Sequence, residues 1–224
     1  MRIEHQFSIA GFEVSVSFPD GWDADTLLPS FRPFYGKKEG QEKALLKCTV
    51  CTSVENKAAM PSGELIENTL SDMGYVSLYK EAEGYCVTLS AEQGGTLHVM
   101  QADRRFSTVR VYLHEEDKRA GHALSSLLRI AYSQAVLYWD AVSIHASAVY
   151  CENKAFLFMG KSGTGKSTHS SLWMKYIQGT ELLNDDNPTL RIVDGKVYAY
   201  GTPWSGKTPC YKSLSYPVGG MVRL

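Results

Sequence analysis

The sequence predicts a mixed α+β / α/β fold in two parts. A β-rich N-terminal domain spans 1–116, a long connecting helix spans 117–140, and a second domain with a mixed β-sheet spans 141–224. Three observations predict it. The first half is dominated by short segments that alternate apolar and polar residues with period two. One long stretch, Asp117–Asp140, repeats its apolar residues at helical spacing. The second half places a glycine-rich segment between an apolar strand and a helical pattern.

In the first half, Ile9–Phe18 alternates as a strand does. Further short strands are predicted at Ala44–Thr52, Tyr75–Tyr79, Tyr85–Leu89, Thr96–Met100 and Thr108–Leu113. Pro19-Asp20-Gly21, Glu81–Gly84 and Glu92–Gly95 supply turns between them. A short helix is expected over Ser62–Met73, with Ser62 as its cap and Leu65, Ile66 and Leu70 on one face. His98 and His114 are isolated in the sequence and read as structural.

The long helix carries Leu124, Leu127, Leu128, Ala131, Ala135 and Tyr138 on one stripe, which reads as core-facing. Beyond it, Val142–Tyr150 and Ala155–Met159 are two predicted strands. A helix follows over Lys166–Gln178, with Leu172, Trp173, Tyr176 and Ile177 as its apolar face and Gly179 as a C-terminal cap. Thr180–Leu183 is a further strand, and Thr189–Val193 and Val197–Tyr200 flank Asp194-Gly195 as a hairpin.

Composition narrows the function classes. The chain has 224 residues, 23 Lys+Arg against 24 Asp+Glu, 44% hydrophobic and 21% charged residues. Those values exclude a disordered, coiled-coil or collagen-like chain. The near-zero charge argues against a nucleic-acid binder. No apolar run is long enough for a membrane helix and no signal peptide is readable, so the expectation is a cytoplasmic protein without a membrane partner. Five cysteines, Cys48, Cys51, Cys86, Cys151 and Cys210, read as structural thiols. Cys48 and Cys51 form a C-x-x-C, but on a strand their side chains face opposite sides.

The segment Gly160-Lys161-Ser162-Gly163-Thr164-Gly165-Lys166-Ser167 fits the phosphate-loop (Walker A) pattern G-x-x-x-x-G-K-[ST] at every fixed position. Its glycines allow a backbone path closed to side chains, so that successive N–H groups face a phosphate. The helix N-terminus adds partial positive charge. Lys166 is placed to neutralise β- and γ-phosphates, Ser167 to ligate Mg²⁺, and Thr168 to complete the nucleotide-binding set. Asp185 and Asp186 close the next strand, where one carboxylate serves Mg²⁺ and the other takes a proton from an attacking hydroxyl. For His145, on the strand preceding the loop strand, a catalytic and a packing reading both stand. Only 57 residues follow Ser167, too few for a Ras-like or RecA-like sheet.

Taken together, His145-Ala146-Ser147, Gly160–Ser167 and Leu183-Asn184-Asp185-Asp186 resemble the catalytic domain of HPr kinase/phosphorylase. They are also similar to its wider relatives, the ATP-dependent phosphoenolpyruvate carboxykinases. The resemblance covers roughly residues 142–206 and is nearest to HPr-kinase-like proteins of unassigned substrate. It implies ATP and Mg²⁺ as cofactors, with Lys166 and Ser167 on the phosphates and metal. It implies Asp185 as the base for a serine hydroxyl, Asp186 as the metal-side carboxylate, and His145 near the reacting phosphate. Gly201-Thr202-Pro203-Trp204-Ser205-Gly206-Lys207 is similar to a segment of those proteins, which implies Trp204, Ser205, Gly206 and Lys207 on the acceptor side; an ordinary Pro/Gly loop is the other reading. His145 is followed by Ala146 where the kinase has glycine, and no segment resembles the kinase's partner-docking loop. Domains of this kind usually continue past the position of Leu224, so a shortened catalytic domain is expected.

The function so implied is γ-phosphoryl transfer from ATP to a serine-type hydroxyl of a protein, a peptide or free serine, by a chain whose relatives include homo-oligomers. A nucleotide-binding sensor or peptide-recognition module without catalysis is the alternative. Carboxykinase-type chemistry is the third.

Overall fold

The computed structural model describes residues 1–36, 44–52, 60–206 and 208–224. The chain is β-rich, with two mixed sheets and few helices. It divides into two compact units. One comprises residues 1–7, 13–32 and the described residues of 37–135; the other comprises 8–12, 33–36 and the described residues of 136–224.

The first sheet begins with β1 (Arg2–Ile9) and β2 (Phe12–Pro19). The alternation over Ile9–Phe18 therefore does not belong to one strand. Ala10 and Gly11 take φ values of 51° and 76°, and this tight two-residue turn separates β1 from β2. A short helix, α1 (Ala24–Leu27), follows; Asp23 caps it by accepting from Asp25 N and from the Thr26 hydroxyl. β3 (Leu46–Thr52), β4 (Glu64–Ser71), β5 (Gly74–Lys80), β6 (Gly84–Ser90), β7 (His98–Asp103) and β8 (Thr108–Leu113) complete the sheet. Its order is β1-β2-β3-β8-β7-β6-β5-β4. The β2/β3 and β3/β8 pairs are parallel, while the pairs from β8 out to β4 are antiparallel.

β4 corrects the helix expected over Ser62–Met73. Glu81 accepts from Ser62 N, the Ser62 hydroxyl and Gly63 N at 3.0, 2.9 and 3.2 Å, which lays the chain along β5. Gly63 lies so close to β5 that a Cβ would stand 1.9 Å from Lys80 O. Leu65, Ile66 and Leu70 are all exposed, so their helical spacing has no core to face. Ladder hydrogen bonds to β5 decide the conformation instead.

The long helix is α2 (Ala120–Ala135), shorter than the expected 117–140. Asp117 starts it by accepting from Arg119 N, and a 3₁₀ turn over Val136–Tyr138 ends it. Leu124, Leu127, Leu128 and Ala131 are fully buried, as their stripe predicts. They cover β3, β6, β7 and β8, each leucine contributing about 1.5–3 kcal/mol. Tyr138 falls past the helix and is exposed. His98 and His114, remote in sequence, meet edge to face at 5.9 Å. His98 Nε2 lies 3.0 Å from Asp117 Oδ2.

The second sheet contains β9 (Ala141–Ser143), β10 (Ala146–Cys151), β11 (Lys154–Met159), β12 (Glu181–Asn184), β13 (Thr189–Val193), β14 (Lys196–Tyr200) and β15 (Ser215–Arg223). Its order is β12-β10-β11-β15-β14-β13-β9. The strand expected over Val142–Tyr150 breaks at Ile144-His145, because β9 pairs with β13 while β10 pairs with β11 and β12. Alternation along β10 sends Ala146 and Ala148 to a core with Leu157, Leu183, Leu190 and Ala199. Val149 goes to the opposite core, with Phe158, Leu182 and Cys210.

The helix α3 (Lys166–Tyr176) lies on that second face. Its expected apolar face is largely not buried. Trp173 tilts against Phe156 and Phe158 at centroid distances of 4.9 and 5.4 Å, while Leu172, Tyr176 and Ile177 are exposed. The buried residues of α3 are Lys166 and Ser170. The helix ends on Ile177, whose N–H reaches Trp173 O, ahead of Gly179. All five cysteines are buried thiols outside any disulfide, and Cys48 and Cys51 do face opposite sides of β3. Among the described residues no helix is long and apolar enough to cross a membrane.

Candidate functional site

Strand directions collect the site at one edge of the second sheet. β10 runs antiparallel to both β11 and β12, so those two run the same way and end at one edge, where β10 begins. β15 is parallel to β11 and ends there too. His145 precedes β10, Gly160 follows β11, and Asp185 follows β12. Three segments distant in sequence therefore converge without any long connection.

The loop from Gly160 to Gly165 joins β11 to α3. Gly160, Gly163 and Gly165 take φ values of 154°, 84° and 93°, so the path depends on glycine. A Cβ on Gly160 would also meet the Thr164 hydroxyl at 2.6 Å. Thr164 N and its hydroxyl donate to Lys161 O at 3.2 and 2.9 Å, closing the loop on itself. The Lys166 ammonium donates to Gly160 O and Lys161 O at 3.0 and 3.1 Å, which holds a buried cation inside the loop. Lys161, Ser162, Ser167 and Thr168 are exposed.

Asp185 is buried, and its two oxygens differ. Oδ1 accepts from the Ser147 hydroxyl at 2.8 Å, and Ser147 Oγ lies 2.6 Å from Ser170 Oγ on α3. Oδ2 is buried with no hydrogen-bond partner among the described residues. A buried carboxylate oxygen without a donor is costly, and such an atom marks a place for a cation or a ligand hydroxyl. Asp186 is partly buried, with Oδ1 3.6 Å from Nδ1 of the half-exposed His145. That is an electrostatic contact, too long for a hydrogen bond. Asp186 O accepts from Ala146 N at 3.0 Å and ties the pair to the start of β10.

The Gly201–Gly206 segment lies against the same carboxylates. Gly206 passes so close that a Cβ would stand 3.1 Å from Asp185 O and 3.7 Å from Oδ2. Trp204 is buried, and the Ser205 hydroxyl donates to Thr208 O at 2.7 Å rather than toward the carboxylates. Lys207 lies outside the described residues. Cys210 is a neighbour of the site, but burial pushes its thiol pKa up, so it offers no thiolate nucleophile.

Sequence reasoning left Asn184 without a role. Its side chain is fully buried and clamps two segments together. Oδ1 accepts from Asp186 N and Asn187 N at 3.0 and 2.8 Å, shaping the turn that carries the carboxylates. Nδ2 donates to Trp204 O at 2.9 Å and to Thr202 Oγ1 and O at 3.2 and 3.3 Å. The Thr202 hydroxyl donates onward to Asn187 O at 2.8 Å. An amide closing an apolar strand, Leu182-Leu183-Asn184, is the signal that marks this role. Ser147 and Ser170 were likewise given no role. A hydroxyl inside the otherwise apolar run of β10 is the comparable clue.

The residues present fit a Mg²⁺–nucleotide. The loop wraps the Lys166 ammonium and carries the exposed Lys161, and Asp185 Oδ2 is an acceptor with no donor among the described residues. Among the described residues no three His, Cys, Asp or Glu side chains gather into a metal cluster. A metal here would thus draw part of its coordination from phosphate oxygens.

No family model matches the chain, and no curated protein does. Among solved structures, the Hpr(Ser) kinase/phosphatase from Coxiella burnetii is similar over 36% of this chain and 58% of its own, at 14% identity and a TM-score of 0.30. The chain thus spans less than two thirds of that protein's length, and a likeness at this level carries no argument about function.

Proposed function

We propose that this chain is a Mg²⁺/ATP-dependent phosphotransferase with a compact sheet of the HPr kinase and phosphoenolpyruvate carboxykinase type. It would move the γ-phosphoryl group of ATP to a serine-type hydroxyl on a protein, a peptide or free serine. One observation carries the reading: Oδ2 of Asp185, buried and without a hydrogen-bond partner among the described residues, lies at the same sheet edge as the Gly160–Ser167 loop.

Lys166 and the loop N–H groups bind and orient the triphosphate. Ser167 and Asp186 are the residues to hold Mg²⁺, which when bound neutralises charge on the phosphates. Asp185 Oδ2 takes the proton of the acceptor hydroxyl as its oxygen forms a bond to the γ-phosphorus. The bond from that phosphorus to the β–γ bridging oxygen breaks, and ADP carries away the electron pair. His145 stands over Asp186 and adds positive character on the phosphate side when protonated. Gly206 keeps a side chain from crowding Oδ2.

The test pairs calorimetry of Mg²⁺·ATP binding with γ-labelled ATP transfer to free serine and a serine-peptide pool. Binding with transfer supports the assignment. Binding without transfer to any acceptor favours a nucleotide sensor, and absence of binding removes both.

A further inference from the structure

We propose that Ser147 and Ser170 are positioning residues of this site: a one-way hydroxyl chain from α3 to Asp185 fixes which carboxylate oxygen acts. The claim rests on the phosphotransferase reading above. Both hydroxyls are sealed from solvent, Ser147 at 0% exposure and Ser170 at 1%. Ser147 lies on the Val149 face of β10, opposite Ala146 and Ala148, where its hydroxyl is served by Asp185 and Ser170.

The direction of the chain follows from proton counting. A carboxylate oxygen only accepts, so the single hydrogen of Ser147 goes to Asp185 Oδ1 across 2.8 Å. Ser147 then accepts from Ser170, 2.6 Å away, and the hydrogen of Ser170 is spent in turn. Oδ1 is thereby occupied and the carboxylate plane is set. Oδ2 is left with no donor among the described residues.

The chain also spans two elements with separate duties. Ser170 follows Ser167 by three residues on α3, the helix whose N-terminus closes the phosphate loop. Asp185 closes the other parallel strand of the site. The hydroxyls thus hold the base at a fixed distance from the nucleotide-binding helix. Lys166 makes its loop contacts independently of them. Loss of the chain should therefore slow transfer and leave nucleotide binding intact.

The experiment compares wild type with Ser147→Ala, Ser170→Ala and Ser147→Thr, the last of which keeps the hydroxyl. Mg²⁺·ATP affinity is expected to stay within about twofold in all three. Single-turnover transfer to the serine-peptide pool is expected to slow about ten- to hundredfold in Ser147→Ala, the worth of one hydrogen bond to a charged group. Ser170→Ala should slow it less, and Ser147→Thr should recover most of the rate. A Ser147→Ala enzyme within twofold of wild type overturns the positioning role and leaves the phosphotransferase reading standing. Wild type that transfers nothing removes that reading and, with it, the catalytic half of this one. The chain itself is then judged by NMR of hydroxyl protons. Slow exchange of the Ser147 proton, lost in Asp185→Ala, supports it; exchange at the rate of a free hydroxyl overturns it.

Discussion

Replacing Asn184 by alanine should destabilise the protein out of proportion to its size. The side chain makes two accepted bonds, from Asp186 N and Asn187 N, and its two amide hydrogens serve Trp204 O and the Thr202 oxygens. That is about four hydrogen bonds at about 1 kcal/mol net each, so the loss is about 3–5 kcal/mol. Alanine also leaves buried backbone donors unsatisfied, which pushes toward the upper end. Thr202→Val removes only the hydroxyl and should cost about 1–2 kcal/mol. Because the two side chains share a bond, the double mutant should cost less than the sum, with a coupling of about 0.5–3 kcal/mol. Urea denaturation of the four proteins, followed by tryptophan fluorescence, measures all three quantities. An Asn184→Ala protein within about 1 kcal/mol of wild type, or strict additivity with Thr202→Val, refutes the clamp.

Lys166→Ala should weaken Mg²⁺·ATP binding by at least about tenfold, the loss of one charge-assisted contact, read by calorimetry. His98 gives a pH dependence of stability. It accepts the His114 N–H at Nδ1 and donates Nε2–H to Asp117, which only neutral imidazole can do, and burial lowers its pKa from the ordinary 6.5. The unfolded chain takes the proton first, so this stability is complete above about pH 6.5. Below that it is lost by up to about 1.4 kcal/mol per pH unit, until the folded pKa is reached. Melting temperatures between about pH 7 and 5 should show the loss in wild type and less of it in His98→Gln; parallel curves contradict it. Thiol labelling of the native protein should be slow at all five cysteines, since all are buried and burial pushes Cys86 up to about 12 and Cys48 higher still. Fast labelling of either of these two contradicts the burial.

The strand–loop–helix path around Gly160–Ser167 was legible because its requirements are local: glycines at fixed offsets, an apolar strand before and a helix after. The Asp194-Gly195 hairpin was legible for the same reason, with φ values of 50° and 72° at the turn. β15 was not, since Ser215–Arg223 holds Pro217, Gly219 and Gly220 and reads as loop. Its partner explains those residues: Gly219 runs so close to β11 that a Cβ would meet Phe156 Cζ at 2.9 Å. A strand made by close approach to another strand leaves little alternation in its own sequence. The apolar face of α3 failed differently. Trp173 has Phe156 and Phe158 to pack against, but Leu172 and Tyr176 are exposed. At the site, the sequence supplied the ionisable groups and missed the neutral ones. Ser147 bonds to residues 23 and 38 positions away, and the Asn184 amide donates to Thr202 and Trp204, 18 and 20 positions away, which no local pattern records.

The central claim is that Asp185 is the base of a phosphoryl transfer at this loop. Its most direct measurement follows γ-labelled ATP with wild type and Asp185→Asn, scoring label on serine acceptors by mass spectrometry and ATP affinity by calorimetry. Label on the acceptor with wild type, and a loss of about 10²–10⁴-fold with Asp185→Asn at unchanged ATP affinity, is the predicted result. Transfer by Asp185→Asn at the wild-type rate contradicts it.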